Sequence, residues 1–302
     1  MRTCSAVLFL AATLAGQVRA GILGQYTLSH SFDASVAVPT IAIGGVYFDE
    51  PNHRLYLAGS TDFSQQPSIR VFTEAGSFVN QINVLSSSRG GLSGLAAVPG
   101  SSDFYTIDYL NRIYRINSAG TPIASRDLNG SFISGGVQGA GDVAVDRISG
   151  NIWIAESSSP FRLIEVDPNF NLLQSINMSP LLGNLGIPGY AGVIGMDIDP
   201  LTGNFLVSGI FGKTPTNDLI YKILEINSGF TTILSEFTAF PANQLWESIT
   251  GVSIGSQSRK IFATSGDNDH VFELSLVPEP SGFAMAAFAI VGLRAWRSRR
   301  RC

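Results

Sequence analysis

The feature that most constrains the fold is a short phrase that recurs five times along the chain. Each copy has an alternating apolar segment, a turn built from small or polar residues, and a second apolar segment, as in Asp142–Ala155. The copies start at residues 45, 94, 142, 195 and 251, so successive spacings are 49, 48, 53 and 56 residues. A period of about 40–50 residues is typical of propeller blades with four strands each. The repeat therefore predicts an all-β protein built by radial repetition.

The segments after each phrase complete the predicted blades. A third strand follows every copy, and a fourth follows the first four copies, but the fifth copy runs directly into Pro278. The alternating segment Gln25–Phe32 supplies the missing strand, and pairing the two chain ends removes an exposed sheet edge. We predict a single β-propeller over residues 21–276, with five four-stranded blades closed by an N-terminal strand.

The N-terminal residues have the order of an export signal. Arg2 precedes the apolar run Ala6–Ala15, and Val18–Ala20 provides a small-residue cleavage site. A spanning helix needs about 20 apolar residues, which is longer than this run. We predict a signal peptide over residues 1–20, and the alternative is a buried first strand or helix.

The C-terminal residues form a second segment with its own composition. Pro278, Glu279 and Pro280 precede the uncharged run Gly282–Leu293. Five arginines follow, and basic residues favour the cytoplasmic side of a membrane: Arg294, Arg297, Arg299, Arg300 and Arg301. We predict that residues 277–302 are an apolar and basic helical tail that anchors the chain in a membrane. As a helix the run spans only about 18 Å, so an interfacial amphipathic tail or a disordered basic end is the alternative.

This tail resembles the PEP-CTERM sorting signal of exported bacterial proteins, which has a Pro-Glu-Pro motif, an apolar segment and a basic end in the same order. The resemblance implies an exosortase-type membrane protease as a partner that removes the tail. It also implies a location outside the cytoplasm, with transient membrane anchoring before the protein reaches the cell surface or the extracellular space.

Charge and cysteine content differ between the ends and the body of the chain. Residues 21–276 contain 12 basic and 22 acidic side chains, giving a net charge of −10 against −4 for the whole chain. An acidic body argues against nucleic acid as a partner. Because Cys4 and Cys302 both lie in the end segments, the body contains no cysteine for a disulfide, a zinc site or a catalytic thiol.

The third repeat carries a further resemblance. Asp142–Glu156 followed by Phe161–Asp167 resembles a repeat of NHL-type or gluconolactonase-like propellers. Gluconolactonase-like enzymes hold a divalent metal at the channel mouth with acidic and amide ligands. By resemblance, Asp108, Asp142 and Glu156 are the candidate ligands here for Ca²⁺ or another divalent ion. The alternative is that these are solvated loop carboxylates or turn formers.

The remaining sequence offers little support for catalysis. His30, His53 and His270 are isolated from one another, and neither a nucleophile elbow nor a P-loop is present. We therefore favour an exported, surface-sorted binding or interaction module that needs no cofactor, with an unidentified surface or extracellular ligand. The alternative is a metal-dependent extracellular hydrolase of the lactonase type.

Overall fold

The computed structural model describes the body of the chain in segments. These are residues 22–35, 42–60, 66–84, 91–130, 132–133, 139–157, 161–182, 192–213, 215, 219–238, 249–266 and 268–277. The predicted signal peptide and the tail from Pro278 onward, with its sorting motif and five arginines, lie outside the described residues. Among those that are described, no helix is long and apolar enough to cross a membrane.

In the described segments, twenty strands form five antiparallel sheets of four, which are the five blades. Blade 1 contains β2 (Ala42–Asp49), β3 (Arg54–Ser60), β4 (Ser68–Thr73) and β5 (Phe78–Asn83). Blade 2 contains β6 (Leu92–Ala97), β7 (Phe104–Asp108), β8 (Arg112–Ile116) and β9 (Pro122–Asp127). Blade 3 contains β10 (Ala140–Val145), β11 (Ile152–Glu156), β12 (Arg162–Val166) and β13 (Leu172–Asn177). Blade 4 contains β14 (Gly192–Ile198), β15 (Phe205–Lys213), β16 (Leu219–Ile226) and β17 (Ile233–Phe237).

Blade 5 joins the two ends of the described chain. Its inner three strands are β18 (Ile249–Ile254), β19 (Ile261–Ser265) and β20 (His270–Leu276), and its outer strand is β1 (Tyr26–Asp33). β1 pairs antiparallel with β20, from Tyr26 opposite Leu276 to Asp33 opposite His270. The predicted five-bladed propeller with N-terminal closure is thus confirmed, and the closing strand begins one residue later than predicted.

The residues before β1 also fasten the ring. A short 3₁₀ turn, Ile22–Gln25, places the side chain of Leu23 fully inside the protein. The Ile22 amide donates a hydrogen bond to the Glu225 carboxylate of blade 4. The N-terminal segment therefore joins blades 4 and 5 and also supplies the last strand.

The apolar core is divided among the interfaces between blades. Among the residues that the structure describes, five clusters of buried apolar side chains each combine residues of two neighbouring blades, and none of these five is confined to one sheet. Tyr105 and Ile154, for example, share the cluster between blades 2 and 3. Because each sheet buries both faces, its second and third strands are rich in apolar residues, whereas the outer strands β5, β9 and β13 are mostly exposed. A blade isolated from its neighbours would expose two apolar faces, which makes ring closure a condition of stability.

A bulge in every inner strand sets the start of the recurring phrase. The register between first and second strands shifts at the residue just before each phrase, for example between Ile43 and Gly45 and between Leu92 and Gly94. The same shift occurs in blades 3, 4 and 5. A bulge bends the strand and redirects the side chains that follow it. The repeated phrase therefore consists of the part of each inner strand that follows the bulge, the turn after it, and the second strand of the same blade.

Candidate binding site at the mouth of the central channel

The five inner strands lie side by side around the channel, close enough that several positions require glycine. A Cβ atom on Gly94 would lie 2.5 Å from the Asp142 Oδ1 atom and 2.8 Å from the Asp142 Cα. A Cβ atom on Gly195 would lie 2.6 Å from the Gly251 Cα. Real Cβ atoms do not make contacts this short, so the glycines that open most of the phrases permit a narrow ring.

Asp142 takes the place of that glycine in blade 3 and connects three blades. Its Oδ1 atom accepts hydrogen bonds from the Leu95 amide of blade 2 (3.2 Å) and from its own neighbour, the Val143 amide (2.8 Å). Its Oδ2 atom accepts one from the Met196 amide of blade 4 (2.8 Å). The side chain is 1% exposed. Asp142 is therefore a cross-link between inner strands.

Asp197 and Ser253 continue the same ring of contacts. The Asp197 Oδ2 atom accepts a hydrogen bond from the Ile254 amide of blade 5 (2.8 Å) and one from the Ser253 hydroxyl (3.1 Å). The Ser253 hydroxyl in turn accepts a hydrogen bond from the Phe48 amide of blade 1 (3.1 Å). Together with Asp142, these side chains connect blades 2, 3, 4, 5 and 1 in sequence around the axis.

The two channel carboxylates are both perturbed by their surroundings. Burial raises the pKa of Asp142 well above that of an ordinary carboxyl, against the opposing effect of the amides of Met196, Val143 and Leu95. The nearby Asp197 charge adds to this rise. Burial also raises the pKa of Asp197, while the Ile254 amide and the positive charge of Arg147 act in the opposite direction. Asp197 thus differs from Asp142 in having a cation in its neighbourhood.

A cavity of about 270 Å³ lies where the inner strands end and turn into the second strands. Its lining includes residues from the inner strand or first turn of all five blades. The polar side chains at its wall are Tyr47 of blade 1, Ser101 of blade 2, Arg147 of blade 3, Asp197 of blade 4 and Ser253 of blade 5. Burial, followed by the charge of Asp49, raises the pKa of Tyr47 to about 12, so its phenol is a hydrogen-bond donor at neutral pH.

A second depression, of about 490 Å³, continues outward between blades 1 and 2. It shares Tyr47, Ala97 and Ser101 with the channel cavity, so the two form one continuous surface. Tyr47, Tyr56 and Phe104 form an aromatic cluster in its wall, with ring centroids 5.0 to 6.2 Å apart. We call this combined surface the mouth site. It offers aromatic faces beside carboxylate, amide and hydroxyl groups, a combination typical of small-molecule sites.

The three carboxylates suggested as metal ligands each bind protein donors. Asp108 is fully buried and accepts hydrogen bonds from the Leu110 amide (3.0 Å), the Arg112 amide (2.9 Å) and the Tyr114 hydroxyl (3.0 Å). It therefore caps the turn between β7 and β8.

Glu156 is fully buried and forms a two-pronged ion pair with Arg162, with nitrogen–oxygen distances of 2.7 and 3.0 Å. Asp142 is the cross-link described above. Within the described segments, no group of three or more His, Cys, Asp or Glu side chains has a metal-binding arrangement.

Sequence reasoning did not select Tyr47, Arg147 or Ser253 as site residues. Tyr47 and Ser253 lie at ordinary strand positions and share a register position near the end of their inner strands, whereas Arg147 lies in the turn after β10. Aligning the five phrases places Tyr47, Asp197 and Ser253 at the same position, two residues after the bulge-adjacent glycine. That alignment is the sequence signal that identifies the mouth site.

Comparisons with known proteins identify the architecture. No protein-family model matches the chain, and no curated protein matches it. The glutaminyl cyclase of Myxococcus xanthus is similar in structure, with a TM-score of 0.55 and 13% identity, covering 83% of this chain and 97% of that one. The Malassezia sympodialis allergen Mala s 1 has a TM-score of 0.54 and 12% identity, covering 82% and 97%.

A chain of a nidogen/laminin complex has a TM-score of 0.50 and 13% identity, covering 78% of this chain and 76% of that one. One of these similar proteins is an enzyme, another an allergen, and the third was crystallised as part of a complex, so their shared fold does not select a function. At this level of identity the comparisons establish the architecture alone, and the chain is a five-bladed β-propeller.

Proposed function

We propose that this protein is an exported, surface-sorted binding module whose ligand occupies the mouth site. The observation that carries the binding proposal is the convergence of Tyr47, Arg147, Asp197 and Ser253, from four blades, on one cavity. These groups supply hydrogen-bond donors and acceptors at fixed positions on rigid strands or at their turns. The ligand that fits this chemistry is a small polar molecule with both donors and acceptors, with an apolar part that contacts the aromatic cluster.

Rigid placement supports binding at this surface. Asp197 is held by the Ile254 amide and the Ser253 hydroxyl, and so it does not need to be ordered when a ligand arrives. Preorganised polar groups reduce the entropy lost on binding. Arg147, in contrast, is exposed at the rim of the cavity. It supplies a cation that a ligand acceptor reaches first.

Binding at the mouth site is tested by screening small polar compounds for thermal stabilisation of the protein. Compounds that stabilise the wild type should lose at least about tenfold in affinity in Arg147→Ala and in Tyr47→Ala, equivalent to about 1.4 kcal/mol. Arg126→Ala is the matched control, because Arg126 lies on the outer strand β9 against Phe132 and away from the cavity. Compounds whose affinity is unchanged by both mouth variants would contradict this location.

Export and sorting rest on the two end segments. The N-terminal signal would carry the chain across a membrane, and the five C-terminal arginines would hold the tail on the cytoplasmic side. The Pro278–Pro280 motif would then meet an exosortase-type protease at the outer interface. Replacing Pro278, Glu279 and Pro280 with alanine should leave export intact and cause the uncleaved form to accumulate in membranes.

Replacing the five tail arginines with serine should weaken membrane retention and release unprocessed protein. Mass spectrometry of the exported protein measures both effects. A wild-type protein that is exported, released from the membrane and still ends at Cys302 would contradict the sorting proposal.

The lactonase-type hydrolase is the less supported alternative. A divalent ion at Asp108, Asp142 or Glu156 would have to replace hydrogen bonds or the ion pair that these carboxylates already make with the protein. Such replacement would weaken a turn, a buried ion pair and a cross-link between blades. Turnover of a lactone that depends on added Ca²⁺ would reverse this preference.

A further inference from the structure

Arg70 is a buried cation that neither the mouth site nor the hydrophobic clusters explain. It lies in the middle of β4, paired with Leu57 on one side and Gln81 on the other, and it is 2% exposed. None of its three guanidinium nitrogens has a hydrogen-bond partner among the described residues. Buried polar groups in proteins are nearly always hydrogen-bonded, so this side chain indicates a missing partner.

The guanidinium remains charged at neutral pH. Burial lowers the pKa of Arg70 to about 10, and the negative charge of Asp269 in blade 5 acts in the opposite direction. Arginine has five N–H donors and no acceptor. A buried arginine is stabilised by acceptors around it, and a charge that acts on Arg70 only from a distance satisfies none of these donors.

A small cavity lies beside Arg70. It has a volume of about 10 Å³ and is lined by Ile43, Leu57, Ala58, Gly59, Ser68 and Arg70. This volume accommodates the centre of about one water-sized sphere. Apart from Arg70, the Ser68 hydroxyl is the polar side-chain group in the lining, and the remaining side chains are apolar or absent.

We propose that this cavity, with a small outward shift of its apolar lining, holds a single chloride-sized monovalent anion, bound by the Arg70 guanidinium and the Ser68 hydroxyl. The guanidinium only donates hydrogen bonds and the Ser68 hydroxyl can also donate one, which suits an occupant that only accepts hydrogen bonds. A water molecule at the same place would also bring two donors that need acceptors of their own. The anion satisfies guanidinium donors and offsets the buried charge.

The location is tested directly by crystals of the full chain soaked in bromide. An anomalous bromine peak beside the Arg70 guanidinium, within about 3.5 Å of its nitrogens, is the expected result. Ordered water there, with no bromine signal at high bromide concentration, would overturn the proposal, as would an empty cavity.

The energetic consequence is tested by thermal unfolding in sodium chloride and sodium gluconate mixtures at constant ionic strength. Replacing gluconate by 0.2 M chloride should raise the Tm of the wild type by about 4 °C, as expected for a site of about 10 mM affinity. Arg70→Met should abolish this rise. Arg115→Met is the matched control and should retain it, because Arg115 pairs with Asp103 at the blade surface.

Equal chloride responses in the wild type and Arg70→Met would contradict the proposal, as would the absence of a response in the wild type. The bromide experiment uses the unaltered chain, so its result stands even if Arg70→Met folds poorly.

Discussion

Replacing Asp142 with alanine should destabilise the whole propeller, because this one carboxylate connects inner strands of three blades. The variant removes the acceptors of the Leu95 and Met196 amides, which lie in blades 2 and 4. A buried donor left without a partner costs about 1–3 kcal/mol. Two such donors give a loss of about 2–6 kcal/mol in the free energy of unfolding. Removing the buried carboxyl offsets part of this loss, so we expect about 2–5 kcal/mol.

Urea unfolding followed by the fluorescence of buried Trp153 and by circular dichroism measures this loss. Asp167→Ala is the matched control. Asp167 also accepts three hydrogen bonds, from the Asn169 and Asn171 amides and the Asn171 side chain, but it does so at the surface and within one turn. We expect this control to lose much less stability than Asp142→Ala, because its hydrogen bonds lie within one exposed turn. Equal losses in the two variants would refute the idea that Asp142 acts as a cross-link.

Three further predictions concern the same ring. Because burial raises the pKa of Asp142, the folded state binds the Asp142 proton more tightly than the unfolded state does. This proton linkage stabilises the fold in acid, and its contribution to the free energy of unfolding is lost as the pH rises above about 4. Asp142→Asn should therefore lose less stability than the wild type between pH 4.5 and pH 7 in urea titrations, and parallel pH profiles would contradict this assignment. Gly94→Ala should cost more than about 2 kcal/mol through its clash with Asp142, whereas Gly100→Ala, with nothing within 4 Å, should cost only about 1 kcal/mol for its positive φ. Deleting residues 25–32 should expose the edge of β20 and lower the Tm by more than about 10 °C, and an unchanged Tm would exclude closure by β1.

The fold could be predicted from the sequence because its determinants are local and repeated. Alternating apolar residues define each strand, and turn residues such as Gly150 and Gly203, both at positive φ, separate the first strand from the second. Repetition at a spacing of about 50 residues then indicates blades. The missing fourth strand of the last unit predicted closure by the N-terminal segment, since an unpaired edge there would be exposed.

The candidate site could be predicted only in part. The resemblance directed attention to Asp108, Asp142 and Glu156, and in the structure each of them binds donors of the protein itself. Asp108 caps a turn, Asp142 cross-links inner strands, and Glu156 forms an ion pair with Arg162. The mouth site combines Tyr47 and Arg147, which are 100 residues apart in the chain. Neither residue type is unusual at its position, so the sequence carried no local signal of their meeting.

By itself, therefore, the sequence determined which segments are strands, how many blades they form and which strand closes the ring. These properties depend on side-chain alternation and backbone turns, which act over a few residues. Only the tertiary structure decided that Asp142 spans three blades, that Arg70 is enclosed without a hydrogen-bond partner among the described residues, and that all five blades contribute polar groups to one cavity. Those properties depend on how far each blade is rotated about the channel and how closely glycines let neighbouring inner strands approach, and both are set by packing between residues distant in sequence.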